Sequence, residues 1–351
     1  MLAKKDLEKI KEMLEKASNP IFFFDNDVDG LAAFLLLRRF CGKGWGVAIK
    51  SFPDLNKMYA RKLQEFNPDM VVVLDKPLID PEFVQEMEQQ GCQMIWIDHH
   101  PPMQLDLFKN QLGKSIFYFN PLLNEEQSNE PVSYLCHKVI ENKKDEWIAL
   151  LGCLADWYIP DFAKSFSEKN KEFFPYTGDP AKALFSTPAG KIVKILNFAL
   201  KDRTTNIVRM VKILIELKSY TELSEENQKT KNIYRRFKQI NKRYEKIIEK
   251  AKKSVKYGKL LFFRYGGPLS LSSEIANELF YLYQDRMVVV AYMKGTKANV
   301  SIRGLINVRE IAKKALKKID STCGGHKNSC GATLNVTDLP KFKRNLLRLM
   351  K

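Results

Sequence analysis

Residues 21–30 of the chain read IFFFDNDVDG and place three aspartates, Asp25, Asp27 and Asp29, at alternate positions behind an apolar run. The run reads as a buried strand, and Gly30 as the turn into a helix. Carboxylates at the carboxyl edge of a parallel sheet lie where open α/β folds bind ligands. Three of them this close repel one another, and a bound cation is the natural remedy. A solvated acidic turn or a helix N-cap is the alternative on this stretch alone. Two more apolar runs end in the same way. Residues 70–74 (MVVVL) lead into Asp75, and residues 94–97 (MIWI) into Asp98-His99-His100-Pro101. A further apolar segment, LLGCLAD, ends in Asp156. A carboxylate in such a setting needs a partner: it is a helix cap, an ion pair or one more ligand for the same crevice.

The elements that must position these residues follow from periodicity. Helices are expected over 6–17, 31–40, 59–66 and 81–90, and short strands over 47–52 and 116–119, between and around the three apolar runs. Strand–helix alternation makes this part an α/β domain with a mostly parallel sheet, whose strand ends converge on one crevice. Residues 131–140 and 146–156 read as helices. Residues 166–256 carry no convincing strand. Pro175, Pro180 and Pro188 break their first part, and long basic helices follow over 191–218 and 225–255. After Gly258 the pattern predicts a strand over 260–263, a helix over 272–283, a hairpin of strands 287–293 and 299–303, a helix over 308–319 and a strand over 332–336. The fold class is therefore α/β in three parts: 1–165 with the mostly parallel sheet, 166–256 as a basic helical connector, and 257–351 as a smaller α/β domain.

Composition narrows the function. The 351 residues carry a formal net charge of +17, and the isoelectric point is near 9.4. A net +12 falls between residues 191 and 257. A localised basic stripe favours a polyanion such as nucleic acid. Arg235, Arg236, Lys238, Lys242 and Arg243 form its densest cluster, interleaved with Tyr234, Phe237 and Tyr244. Those aromatics either stack bases or form the buried stripe of an amphipathic helix. No apolar run is long enough to cross a membrane, and residues 1–17 lack a signal-peptide core, so a cytoplasmic location is expected. The six cysteines form no C-x-x-C pair and are expected as free thiols. His137, within SYLCHKVI, reads as structural. Near the carboxyl end, Ser301-Ile302-Arg303 and Gly324-Gly325-His326 stand out. A glycine pair beside a histidine admits a phosphate to backbone amides, or is an ordinary loop.

Taken in order, DNDVDG, VVVLD, IDHHP and GCLAD resemble the motifs of the DHH phosphoesterases, and within them the RecJ-like nucleases, particularly the compact archaeal forms. Asp25, Asp27, Asp29 and Gly30 match the first motif, Asp75 the second, Asp98-His99-His100 the third and Asp156 the fourth. Gly324, Gly325 and His326, with Ser301 and Arg303, match the DHH-associated domain. Two departures stand out. Cys323 occupies a place where relatives often have glycine, and Lys76-Pro77 after Asp75 is unusual.

The resemblance implies a two-metal phosphodiesterase, most simply an exonuclease that degrades single-stranded DNA or RNA to 5′-mononucleotides. The alternatives are a small-substrate phosphodiesterase or phosphatase and a replication or repair scaffold. It implies two Mn²⁺ ions, with Mg²⁺ as the substitute, held by Asp25, Asp27, Asp29, Asp75, His99 and Asp156, with Asp75 as the bridge. Asp75, Asp98, His99 and His100 would be catalytic. His100, Ser301, Arg303, Gly324, Gly325 and His326 would bind substrate. A replication or repair protein is a further expected partner, and a membrane is not.

Overall fold

The apolar runs become strands because helices cover them on both faces. The computed structural model describes residues 1–51, 54–255 and 258–350, in two compact units, Met1–Phe237 and Lys238–Lys351. The strand expected over 47–52 thus ends, at Phe52, outside the described residues, as does the domain border at 256–257. The first unit opens with α1 (Lys4–Lys16), β1 (Pro20–Asp25), α2 (Val28–Cys41), β2 (Trp45–Ile49), β3 (Asp54–Leu55) and α3 (Arg61–Phe66). It continues through β4 (Met70–Leu74), β5 (Leu78–Ile79), α4 (Pro81–Gln89), β6 (Gln93–Ile97) and β7 (Ile116–Phe119). The main sheet runs β2-β1-β4-β6-β7, with every pair parallel; β3 and β5 pair separately.

Alternation along each strand sends side chains to two cores. Phe22, Phe24, Val72, Leu74, Ile95 and Ile97 face one, and Ile21, Phe23, Val71, Val73, Met94 and Trp96 the other. Register is what gathers the site. Phe24 pairs with Leu74, Leu74 with Ile97, and Ile97 with Phe119. The next residues, Asp25, Asp75, Asp98 and Asn120, therefore leave the sheet at one level.

Helices complete the unit: α5 (Val132–Ile140), α6 (Glu146–Ala155), α7 (Ala163–Lys169), α8 (Pro180–Ser186), α9 (Pro188–Leu200), α10 (Thr204–Glu216), α11 (Thr221–Ser224) and the start of α12 (Lys231–Lys253). Two expectations change here. Pro180 and Pro188 begin helices, each at the first turn where a missing N–H costs nothing. The single helix expected over 191–218 is two, because Asp202 turns the chain by accepting from the Arg203 amide at 2.7 Å and from Asn206 Nδ2 at 3.0 Å. The segment expected as a helical connector packs onto the first unit as far as α12 begins. Ile192, Leu196, Ile207, Leu214, Leu223 and Tyr234 share a core with β1 and β4.

The second unit has β8 (Leu260–Gly266), α13 (Ser272–Leu282), β9 (Met287–Lys294), β10 (Lys297–Arg303), α14 (Val308–Leu316), β11 (Ser321–Gly325), β12 (Ser329–Asn335) and α15 (Leu339–Leu349). Its sheet runs β11-β12-β10-β9-β8, with only β8–β9 parallel. The expected hairpin is β9–β10. Strand β11 was not expected, since STCGG has no apolar run; pairing with β12 makes it a strand. Among the described residues no helix is long and apolar enough to cross a membrane.

Candidate metal centre

The site grows from the ends of β1, β4 and β6. Asp25 closes β1, and Asp27 caps α2, accepting from the Gly30 amide at 2.9 Å. Gly30 is required by space: a Cβ there would lie 2.7 Å from the Asp25 carbonyl oxygen and 2.8 Å from its nitrogen. Asp75 leaves β4 with φ +59°, a left-handed conformation costly for a residue with a Cβ. Its amide donates to the Ile97 carbonyl at 3.0 Å, which holds that conformation. His99 is buried, with Nε2 3.4 Å from Asp75 Oδ1 and 3.3 Å from Asp156 Oδ2. Asp156 reaches the same place from the end of α6, where it is the residue that closes the helix. The His99 and His100 rings meet edge to face at 4.8 Å.

Among the described residues of the first unit, Asp25, Asp27 and Asp75 could hold a cation, as could Asp75, Asp98 and His100, two sets that share Asp75, and so could a separate set of Asp29, His99 and Asp156, the ligand atoms of each set lying within 4.8 Å of one another. Asp75 Oδ1 is buried and accepts no hydrogen bond. An orphaned carboxylate oxygen facing two imidazoles fits a divalent ion, and oxygen donors with imidazole suit Mn²⁺ or Mg²⁺. Burial, then the neighbouring carboxylates, push Asp27 and Asp75 well above the usual carboxylate range. Asp29 has another occupation as well. It accepts from the amides of Val132 at 2.8 Å and Ser133 at 3.0 Å, and from the Ser133 hydroxyl. It thus closes the amino end of α5. Burial, then the Asp156 charge, raise it to about 6.

Asp98 is fully buried and accepts from His100 Nδ1 at 2.8 Å, with Tyr118 Oη at 3.4 Å and Asn120 Nδ2 at 3.5 Å beyond. Asn120 also donates to the His100 carbonyl at 2.8 Å. Burial lowers the imidazole of His100, but the Asp98 charge and hydrogen bond outweigh it and raise it to about 9. Burial likewise raises Asp98, and the histidine partners hold it below its ordinary value. Sequence reading missed Tyr118, Asn120 and Ser133. Asn120 had a signal: it follows the fourth strand, as Asp98 follows the third. His137 is buried against Phe162, as a structural histidine would be. All six cysteines are free.

In the second unit, Ser301 and Arg303 alternate on β10. Ser301 Oγ is buried, 2.9 Å from Ser272 Oγ and 3.4 Å from Ser273 Oγ at the start of α13. Arg303 Nε donates to Asn277 Oδ1 at 2.6 Å. Gly324 and Gly325 are not a free loop but the end of β11. Gly325 has φ +123°, and a Cβ there would lie 2.6 Å from the Ser329 carbonyl oxygen. The His326 amide donates to that oxygen at 2.7 Å, closing the hairpin. On α12, Arg235, Lys238, Lys242 and Arg243 are exposed. Arg236 is not part of that face: it is half-buried and donates to the Lys201 carbonyl, which pins α12 to the turn between α9 and α10. Tyr234 and Tyr244 are buried, and Phe237 lies against Phe198 at 5.9 Å. The aromatics are thus the helix's apolar stripe.

Residues 258–351 match the DHHA1 domain family. Over the whole chain, the fold matches RecJ from Thermus thermophilus in complex with Mn²⁺, with a TM-score of 0.66 at 15% identity. That match covers 100% of this chain and 55% of RecJ, so the chain spans about half of that protein. A second structure, exonuclease RecJ bound to manganese, matches with a TM-score of 0.61 at 16% identity, covering 100% of this chain and 95% of the other. CDC45 from Entamoeba histolytica matches at 0.54 and 10% identity, covering 99% of each. No curated protein sequence matches the chain. The fold match over the whole chain and the domain match over its last part define a RecJ-like α/β fold whose residues 258–351 are a DHHA1 domain. More particularly, the fold of the whole chain is similar to that of RecJ bound to Mn²⁺.

Proposed function

We propose that the chain is a metal-dependent phosphodiesterase that degrades single-stranded DNA or RNA to 5′-mononucleotides. One observation carries this reading: the buried, orphaned Asp75 Oδ1 faces two imidazoles among converging carboxylates. Asp25, Asp27, Asp75, His99 and Asp156 would hold two divalent ions with Asp75 shared, and imidazole favours Mn²⁺ over Mg²⁺. Bound there, the ions would acidify an attacking water and offset charge on the phosphoryl oxygens. The chain's own side chains do the rest. The Asp98 charge and hydrogen bond favour the protonated form of His100, and Asn120 fixes the His100 backbone. The imidazolium donates from Nε2 to a phosphoryl oxygen, a charge-assisted bond that strengthens as charge develops there. Asp29, by anchoring α5, steadies the first turn of α2 and with it Asp27. Arg303 and His326 are proposed as substrate contacts of the second unit. The exposed cations of α12 are proposed as a phosphate track, which a mononucleotide-sized substrate would not need.

The test is cleavage of a 5′-labelled single strand with and without metal. EDTA abolishes cleavage and Mn²⁺ restores it best. Asp75→Ala loses at least about a hundredfold, more than removal of a group that only orients a ligand. Full activity in excess EDTA, or in Asp75→Ala, overturns the mechanism. Turnover confined to dinucleotides would move the small-substrate reading ahead.

A further inference from the structure

The Lys76-Pro77 pair that follows Asp75 places a lysine inside the centre. Lys76 is 1% exposed, and its ammonium lies 2.6 Å from Asp25 Oδ1 and 2.9 Å from the Ser51 carbonyl oxygen. A buried ammonium is retained only where charge and hydrogen bonds compensate its lost hydration. The backbone aims it there. Asp75 is held left-handed, the Lys76 carbonyl accepts from Trp96 Nε1 at 2.7 Å, and Pro77 restricts the residue before it to extended conformations. Asp25 belongs to the set Asp25, Asp27 and Asp75, whose ligand atoms lie within 4.8 Å of one another. A carboxylate oxygen that binds an ammonium at 2.6 Å cannot take a divalent ion at full strength, because the two cations would sit within a few ångströms in a poorly screened site.

We propose that Lys76 is a resident cation of the centre, which holds Asp25 and must be displaced before a divalent ion can bind between Asp25 and Asp27. This rests on the metal-centre reading above. The two ion positions are consequently unequal. The one served by His99, Asp75 and Asp156 fills first, and the one at Asp25 fills only when the ion is abundant. Lys76 is thus a positioning residue that sets the ion concentration at which the centre becomes complete.

The experiment is Mn²⁺ binding to the metal-free full chain, read by calorimetry and by the electron-spin coupling of paired Mn²⁺. Wild type binds one ion at least tenfold more tightly than the second, and spin coupling is absent at two equivalents near the tight dissociation constant. Lys76→Met, which keeps the aliphatic packing, tightens the second site at least tenfold, leaves the first unchanged and brings the coupling forward. Lys76→Arg keeps a cation in place and retains the wild-type inequality. Two equal sites in the wild type overturn the proposal without recourse to any variant. So does a Lys76→Met protein with the wild-type second site. Absence of any Mn²⁺ binding overturns the metal-centre reading and this proposal with it, a result distinct from two equal sites, which refutes Lys76 alone.

Discussion

Asp98→Asn isolates what the buried carboxylate does for His100. In the native chain the imidazole titrates near 9 against an ordinary 6.5. A difference of that size corresponds to roughly 3 kcal/mol of preference for the charged ring. The Asp98 charge and its hydrogen bond at 2.8 Å are the cause, and burial works against them. Without the Asp98 charge, burial and His99 remain against Asp75 alone, so the ring should titrate well below 9. A folded-state pKa above the unfolded one contributes stability that is full below about pH 6.5 and is lost as pH rises through about 9. Wild type should therefore exceed Asp98→Asn in stability by more at about pH 6 than at about pH 10. The assay is imidazole proton NMR on the metal-free chain, where only four histidines need resolving and His100→Gln assigns the signal. Urea unfolding at the two pH values gives the second reading. A midpoint for His100 still above about 8 in Asp98→Asn would refute the assignment of Asp98 as the group that charges it.

Two further perturbations test the surroundings. Asp29→Asn, whose amide nitrogen cannot accept, leaves one of the two amides at the start of α5 unsatisfied and should cost about 1–3 kcal/mol in urea unfolding, whereas Ser133→Ala removes only the hydroxyl bond to Asp29 and should cost about 1 kcal/mol; unchanged stability in Asp29→Asn would return Asp29 to a ligand role alone. Replacing Arg235, Lys238, Lys242 and Arg243 by alanine should weaken binding to a strand of about 20 nucleotides and flatten its salt dependence by about 0.7 in slope per lost phosphate contact. Parallel salt titrations of the two proteins would remove the α12 face from the substrate path, while Arg236→Ala should act on stability, not on the slope.

The parallel sheet and the residues at its edge were legible in the amino-acid order alone. Apolar runs, glycine turns and the acidic residues that follow them are local signals, and Asp25, Asp75, Asp98 and His99 sit where those signals put them. The same order also determined that the middle is helical and basic. Which partner each charge takes depends on contacts between residues far apart in the chain. Asp29 turns to amides 103 and 104 positions away, Lys76 reaches back 51 positions to Asp25, and Arg236 closes on Lys201, 35 positions earlier. Strand β11 exists because β12 supplies its hydrogen bonds, and the Gly324-Gly325 pair belongs to it for that reason. A buried charge must find its partner wherever packing brings one, and no periodicity along the chain records which partner that is.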